Sequence, residues 1–280
     1  MIRLRSTRAF LLLGVVLGLA LCMSACTTTS LGEIDPLELT RESETHVFTA
    51  DELNSLDLVS AFYTSTNDWP TDKTYYAQGI ALTDIMDESD VTDSSITFEG
   101  ADGYSVTLTA QQLFASRYTF ADDEPRAVEP ILAYRMIEGD QDSDIGDAKL
   151  QTAPTLVFGQ EVAGEHTNPA FVEDICRITV TNQVEQWEPA TVVGATDDVL
   201  TIRTGETVKL MHDDFSKVKL HYTLDGSEPT LSSTMYNPST YQPELNKPIL
   251  IDDNATLRVL VVGFGKLASD PVTFEIKVEP

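Results

Sequence analysis

The stretch HYTLDGSEPTLSSTMY, residues 221–236, decides the fold of the C-terminal third of the chain. It opens with alternating polar and apolar residues, which predicts a strand with one buried face. The Asp-Gly pair at 225–226 supplies a tight turn, and Pro229 ends strand pairing because proline has no backbone N–H. Tyr222 and Tyr236 are large enough to seal a small core between two sheets. The stretch therefore predicts the centre of a small β domain.

Further alternating segments surround this stretch between residues 190 and 280. They are residues 199–203, 206–211, 218–224, 256–262 and 272–278. Short strands separated by turns over roughly 90 residues predict an all-β sandwich. Residues 185–189 precede this domain, and we interpret them as a linker with Trp187 packed at the junction.

Residues 221–236, together with ATLRVLVVGFGKLASDPVTFEI at 255–276, resemble the chitobiase/β-hexosaminidase C-terminal domain. This immunoglobulin-like module is also described as fibronectin type III associated. It accompanies a catalytic domain in the enzymes that carry it, so the resemblance does not imply hexosaminidase activity here. Two interpretations of Tyr222 and Tyr236 follow: they form a platform that binds glycans, or they belong to the core of the sandwich.

The preceding region, residues 45–184, mixes strand and helix patterns. Thr49 and Glu52 have the spacing of a capping box that opens a short helix, and a second helix is predicted to start with Thr109 as its N-cap. Residues 96–98 and 104–108 alternate around Asp102-Gly103, which predicts a hairpin. Residues 80–86 have apolar residues at helical spacing, and residues 155–158 form an apolar run typical of a buried strand. Because these elements interleave irregularly, the sequence predicts an α+β domain.

Four segments of this region resemble the molybdopterin-binding domain of sulfite-oxidase-type oxidoreductases. They are YAQGIALTDIM (76–86), ITFEGADGYSVTLTAQQL (96–113), APTLVFGQ (153–160) and NPAFVEDICRITV (168–180). The resemblance implies a molybdopterin cofactor whose metal is held by a cysteine thiolate. The chain has no cysteine between Cys26 and Cys176, so the expected ligand is absent. Cys176 alternates with Ile178 and Val180, which predicts a buried side chain.

The N-terminus has the pattern of a secretion signal. Three arginines precede an apolar run at 9–22, which is too short to span a bilayer comfortably. LCMSAC at 21–26 resembles the lipobox of bacterial lipoproteins, although Met23 stands where leucine is most common. The resemblance implies that residues 1–25 are removed and that Cys26 is acylated. The alternative is an ordinary cleaved signal followed by a free cysteine.

The lipoprotein interpretation places the protein on the extracytoplasmic face of the cell membrane, held by a lipid anchor. Two acyl chains give a stable attachment where one would be marginal. Residues 26–44 are rich in Thr, Ser and Glu, and we predict a flexible tether there. The mature chain would carry 15 basic and 45 acidic side chains. This charge excludes nucleic acid as a partner, because phosphate binding needs clustered Lys and Arg.

Two further groups of residues are candidate ligand sites. Asp140, Asp142 and Asp144 stand at alternate positions in an acidic run, which suggests Ca²⁺. The run departs from an EF-hand loop, and a solvated acidic loop is the alternative. Trp69, followed by proline, lies with Tyr75 and Tyr76 in a second group that could present aromatic rings to a ligand. Burial of Trp69 beneath its loop is the alternative.

These observations favour a membrane-anchored extracytoplasmic protein with a non-catalytic binding or structural role, whose partner is an envelope protein or a glycan. One alternative is a molybdopterin-type oxidoreductase or an accessory redox subunit. The other is a glycan-binding surface protein. The four histidines fall in separate segments without zinc-ligand spacing, and no nucleophile-elbow or phosphate-loop motif occurs in the sequence.

Overall fold

A computed structural model describes residues 30–139 and 144–280. Cys26, the proposed signal and the first part of the predicted tether lie outside these residues, as do Asp140 and Asp142 of the predicted calcium site. Within the described ranges, none of the helices has the length and apolar character needed to cross a bilayer.

The described part of the first region is built mainly of strands. These are β1 (Leu37–Arg41), β2 (Glu44–Phe48), β3 (Leu58–Thr66), β4 (Asp72–Ala81), β5 (Ser95–Gly100), β6 (Ser105–Thr109), β7 (Tyr118–Thr119), β8 (Arg126–Ala127), β9 (Ile131–Glu138), β10 (Thr155–Val157) and β11 (Ile175–Thr181). The α-helices are α1 (Ala50–Asn54), α2 (Leu82–Ile85) and α3 (Ala110–Phe114), and 3₁₀ turns cover Glu88–Asp90, Ile145–Asp147 and Asn168–Ala170. Because the helices are only 4 or 5 residues long, the predicted α+β class of this region is not confirmed.

Two sheets organise this region. One has the strand order β2-β1-β11-β5-β6 and the other the order β10-β9-β4-β3, while β7 and β8 form a separate ribbon. The main core contains the inner faces of both sheets and the apolar sides of the short helices, with Phe98, Tyr134 and Phe158 as its large buried side chains. A smaller cluster around Tyr63 and Val157 packs on the four-stranded sheet as well.

The predicted tether over residues 26–44 is wrong from Leu31 onward. Leu31, Ile34 and Leu37 are buried in the main core, and β1 pairs in parallel with β11. The Thr and Glu content of this segment suggested solvation, but its four apolar residues lie where the sheet can bury them. The described part of this segment is therefore an integral strand of the first domain.

Several local predictions in this region are confirmed. Thr49 and Glu52 form a reciprocal capping box, and Thr109 and Gln112 form a second one. The hairpin between β5 and β6 turns at Asp102-Gly103, where Gly103 adopts a φ of 84°. The helix predicted at 80–86 is shorter, because Ile80 and Ala81 extend β4 and pair with β9.

Cys176 does not occupy the buried position predicted for it. The pairing of β11 with β5 shifts register between Ile175 and Arg177, so Cys176 lies at a bulge and is half-buried. Its thiol lies 3.6 Å from the carbonyl oxygen of Glu99. The extra residue breaks the alternation on which the prediction rested, while Ile178 and Val180 remain in the core.

The second region is all β apart from a 3₁₀ turn at Pro243–Leu245. Its described strands are β12 (Glu185–Gln186), β13 (Thr191–Val192), β14 (Val199–Arg203), β15 (Thr207–Val208), β16 (Leu210–Met211), β17 (Val218–Thr223), β18 (Thr234–Met235), β19 (Ile249–Leu250), β20 (Ala255–Gly263), β21 (Lys266–Leu267) and β22 (Val272–Glu279). One sheet has the order β14-β22-β20-β17-β18, and the pairs β13-β16 and β15-β19 share its core. This arrangement is consistent with the predicted immunoglobulin-like sandwich.

The two regions are joined by ordered contacts. β12 pairs in parallel with β21, and Trp187 is buried in the core of the second region, as predicted for the junction. Gln112 on α3 donates to the carbonyl oxygen of Gly263 and accepts from the N–H of Gly265. The segment between the domains is therefore fixed to the second domain, and α3 of the first domain contacts the second domain directly.

Candidate functional site: an aromatic pair at the domain seam

Four of the five aromatic residues predicted as ligand contacts pack wholly or partly against other side chains. Tyr236 is buried in the core of the second domain and Tyr222 packs against that core. Tyr75 is buried, and its hydroxyl accepts a hydrogen bond from Asn168. Tyr76 is half-buried and stacks on Phe62 at a centroid distance of 4.6 Å. For Tyr222 and Tyr236 the structure supports the core interpretation and not the glycan platform.

Trp69 is presented to solvent, contrary to the alternative that it is buried beneath its loop. Its side chain is 54% exposed at the tip of the β3–β4 hairpin. The side-chain oxygen of Asn67 accepts from the N–H groups of Trp69 and Thr71, at 2.9 and 3.0 Å. The N–H of Asn67 donates to the carbonyl oxygen of Thr71. These bonds close the loop on itself, so the ring is held outward by a fixed backbone.

The second domain supplies a partner for this ring that the sequence did not indicate. Tyr241, which is 63% exposed, stacks on Trp69 with a centroid distance of 5.8 Å and an interplanar angle of 16°. Nearly parallel rings at this separation are offset, so the pair leaves ring surface open to solvent. Tyr241 precedes Gln242-Pro243 in a polar loop, much as Trp69 precedes Pro70. An aromatic residue close before a proline in a polar loop is therefore the sequence feature that could have indicated Tyr241 as an exposed residue.

The loop that carries Tyr241 is also held in place. Ser239 and Asn246 exchange two hydrogen bonds across the loop, and the Ser239 hydroxyl accepts from the N–H of Gln242. The same hydroxyl donates to the backbone carbonyl oxygen of Asp68, at 2.9 Å. The two aromatic loops are therefore joined directly beneath the ring pair.

A charged group accompanies this junction. The ammonium of Lys219, on β17 of the second domain, lies 3.3 Å from Oδ1 of Asp68 and 3.4 Å from the carbonyl oxygen of Pro238. Nδ1 of His166 lies 3.7 Å from the same carboxylate oxygen, too far for a hydrogen bond. This nitrogen is buried and has no hydrogen-bond partner among the described residues. Asp68 thus faces a basic side chain from each side of the seam, the contact between the two domains.

The electrostatics of this junction follow from burial and from these neighbours. His166 and Lys219 hold the pKa of the Asp68 carboxyl below its usual value, against the opposing effect of burial. Burial lowers the pKa of Lys219, and Asp68 partly reverses that shift. Burial also lowers the pKa of His221, whose Nδ1 donates to the carbonyl oxygen of Ser233. The carboxylate form of Asp68 is therefore the stable one at neutral pH.

Tyr104 is a further exposed aromatic residue of the first domain. It is 52% exposed in the β5–β6 hairpin, and its hydroxyl donates to the carbonyl oxygen of Pro169. Partial burial raises its pKa, and Tyr241 and Asp68 raise it further. Tyr104 is therefore an exposed ring that is anchored through its hydroxyl.

The predicted calcium site is only partly covered by the described residues. Asp144 caps the 3₁₀ turn at Ile145–Asp147, accepting a hydrogen bond from the N–H of Gly146. Its carboxylate thus has a local structural role. Within residues 30–139 and 144–280, no group of three or more His, Cys, Asp or Glu side chains is placed to hold a metal ion.

The residues of the first domain do not fit a thiolate-bound molybdenum. One groove of about 400 Å³ is lined by residues from both domains, among them Glu88, Phe114 and Leu267. A second, of about 220 Å³, adjoins it near Phe114 and Tyr118. Cys176 lines neither groove, and its thiol points at a backbone carbonyl within the sheet.

Comparisons with known proteins match part of the second domain to a family model. Residues 208–276 match the family model described as Fn3 associated, so this part of the chain carries an Fn3-associated domain. Among solved structures, the chain is similar to the sulfane dehydrogenase SoxCD from Paracoccus pantotrophus. That match has 11% identity and a TM-score of 0.34, and it covers 83% of this chain and 68% of the other. The search of curated proteins found no match.

Proposed function

We propose that this protein is a lipid-anchored binding protein of the cell envelope that recognises carbohydrate through the Trp69–Tyr241 ring pair. The observation that carries the proposal is the exposure of two stacked rings contributed by two different domains. The lipobox-like sequence ending at Cys26 supports the location.

Ring faces of this kind suit sugars for a physical reason. The face of an aromatic ring is electron-rich, and the C–H groups on one face of a pyranose carry a partial positive charge. Large exposed aromatic side chains are otherwise unfavourable on a soluble surface, and together they mark a binding site. Both loops are fixed by internal hydrogen bonds, so a ligand would meet a preorganised surface and little loop entropy would be lost.

The net charge of the chain indicates which class of polysaccharide it would bind. The chain carries a formal charge of −27 and would repel polyanionic glycans at low ionic strength. Hydroxyl-rich neutral polysaccharides avoid this repulsion. The position of Cys176 argues against a thiolate-bound molybdenum, because the described region offers no other thiol as its ligand.

Replacing the rings tests the proposal. Trp69→Ala and Tyr241→Ala should each weaken binding to a neutral polysaccharide at least about tenfold, as expected for aromatic hot spots. Affinity electrophoresis against a panel of soluble neutral glycans, followed by calorimetry on any that retard the protein, measures this loss. Tyr222→Phe is a suitable control, since its ring packs on the core and should leave affinity unchanged.

Failure of every glycan in the panel to bind the unmodified mature chain would contradict carbohydrate recognition. Equal affinity for the Trp69→Ala variant and the parent would contradict the assignment of the site while leaving carbohydrate binding intact.

The anchor is tested separately. Cys26→Ser should prevent acylation, so the protein is released or remains as an unprocessed precursor. Fractionation of cells expressing both forms, with detergent phase partitioning, measures the change. A Cys26→Ser protein that is still processed and still enters the detergent phase would show that the anchor lies elsewhere.

A further inference from the structure

We propose that Asp68 is the positioning residue of the ring pair: it joins the two aromatic loops through its carbonyl and its carboxylate, so the platform exists only while this junction is closed. This inference rests on the proposed function for its effect on affinity. Its effect on ring geometry does not depend on any ligand.

The two aromatic loops are connected through the backbone of Asp68. Trp69 is the next residue after Asp68, and Tyr241 follows two residues after Ser239. The bond from the Ser239 hydroxyl to the Asp68 carbonyl oxygen therefore ties together two loops 171 residues apart in sequence. A movement of either loop relative to the other would break this bond and separate the rings.

The carboxylate of Asp68 also joins the two domains through its charge. The side chain of Lys219 is only 16% exposed, and its ammonium has Asp68 as its ion-pair partner. A buried ammonium without an anion is costly, because the low-dielectric surroundings do not replace its lost hydration. Loss of the Asp68 charge should therefore favour a movement of Lys219 toward water. Since Lys219 also donates to the carbonyl oxygen of Pro238, that movement pulls on the loop that carries Tyr241.

The other groups facing Asp68 do not replace this link. His166 approaches the carboxylate from the first domain, the same domain as Asp68, so it cannot join the two loops. Tyr104 also belongs to the first domain, and its hydroxyl is occupied by Pro169. Across the seam, Lys219 and Ser239 supply the contacts to Asp68.

The lowered pKa of the Asp68 carboxyl determines how the stability of the junction depends on pH. A carboxyl whose pKa is lowered in the folded state stabilises that state above its unfolded pKa, and this contribution is lost as pH falls through the folded pKa. The ring pair should therefore remain assembled from neutral to mildly acidic pH.

The experiment uses the full mature chain with Trp187→Phe as background, which leaves Trp69 as the remaining tryptophan. Asp68→Asn keeps the carbonyl and the side-chain shape but removes the charge. We expect acrylamide quenching of Trp69 to rise at least about 1.5-fold without ligand, and glycan affinity to fall about tenfold, or about 1.4 kcal/mol. Lys219→Met removes the ammonium that faces Asp68 from the second domain. It should give the same rise in Trp69 quenching and the same fall in glycan affinity.

A double-mutant cycle distinguishes positioning from a general loss of structure. In the Trp69→Ala background, Asp68→Asn should lower affinity by less than it does in the parent chain, because the part of its effect that passes through the Trp69 ring is already lost. Asp214→Asn, which removes the exposed ion pair with Lys217, is the matched control and should change neither readout.

Unchanged Trp69 quenching in both Asp68→Asn and Lys219→Met would overturn the proposal, as would additive losses in the cycle. If no glycan binds the parent chain, the proposed function fails, while the quenching measurement still decides whether Asp68 holds the rings together.

Discussion

Gly79→Ala is expected to destabilise the first domain by at least about 3 kcal/mol. A Cβ at this position would meet the carbonyl oxygen of Leu132 well inside van der Waals contact and would lie 2.6 Å from the Cα of Ala133. Both obstacles are backbone atoms of β9, the partner strand, so no side-chain rotation can relieve the clash. The substitution must therefore disrupt the pairing of β4 with β9 at the centre of the four-stranded sheet.

Thermal unfolding followed by circular dichroism measures this effect, with an expected fall in Tm of roughly 6–12 °C for a domain of this size. Gly103→Ala is the control. It adds the same methyl at a positive-φ turn with open space around it, so it incurs conformational strain of about 1 kcal/mol and no clash. Equal losses in the two variants would show that the clash at Gly79 is relieved by a shift of β9.

Glu165→Ala is expected to have a comparable effect, about 3–5 kcal/mol, because it leaves a buried guanidinium without its anion. Nη1 of Arg117 donates to both carboxylate oxygens of Glu165, at 2.8 and 2.7 Å. The side chain of Arg117 is only 3% exposed and lies over the ring of Phe158. Its Nε already has no hydrogen-bond partner among the described residues, so little compensation is available.

Urea unfolding of Glu165→Ala and of the double variant Arg117→Met/Glu165→Ala tests this reasoning. Removing both charges should recover most of the lost stability, since an apolar replacement of a buried pair is often close to neutral. Asp214→Ala, which breaks an exposed ion pair, should leave the midpoint unchanged. A double variant no more stable than Glu165→Ala would contradict a desolvation origin for the loss.

Glu165 also connects stability with the candidate site. Its backbone carbonyl accepts from the N–H of Thr66 and from the side chain of Gln160, and His166 follows it in the chain. This loop places His166 beside Asp68. We therefore expect Glu165→Ala to loosen the Trp69 loop as well.

Local features were predictable because the interactions that set them lie within a few residues. Thr49 caps its helix by bonding to Glu52, and Asp102-Gly103 turns its hairpin with a glycine at positive φ. The apolar run starting at Thr155 forms a short, fully buried strand. In each case the local conformation follows from the residue types within that short segment.

Predictions failed where a distant segment decided the outcome. The predicted tether is a strand because β11, about 139 residues away, offers an unpaired edge to β1. Cys176 leaves its predicted buried position because β11 bulges against β5. The alternation of apolar residues indicates which side chains share a face, but the partner strand decides the register.

The sequence by itself determined the acidic charge, the strand pattern of residues 190–280 and the caps and turns, since composition and short-range spacing specify these directly. The tertiary structure alone decided which aromatic residues form a surface. Tyr236 is buried and Trp69 is exposed, although both stand in similar polar surroundings in the sequence. Tyr241 stacks on Trp69 next to the contacts that Lys219 and Ser239 of the second domain make with Asp68. Burial and contact depend on the packing of whole domains, which no local pattern of residues encodes.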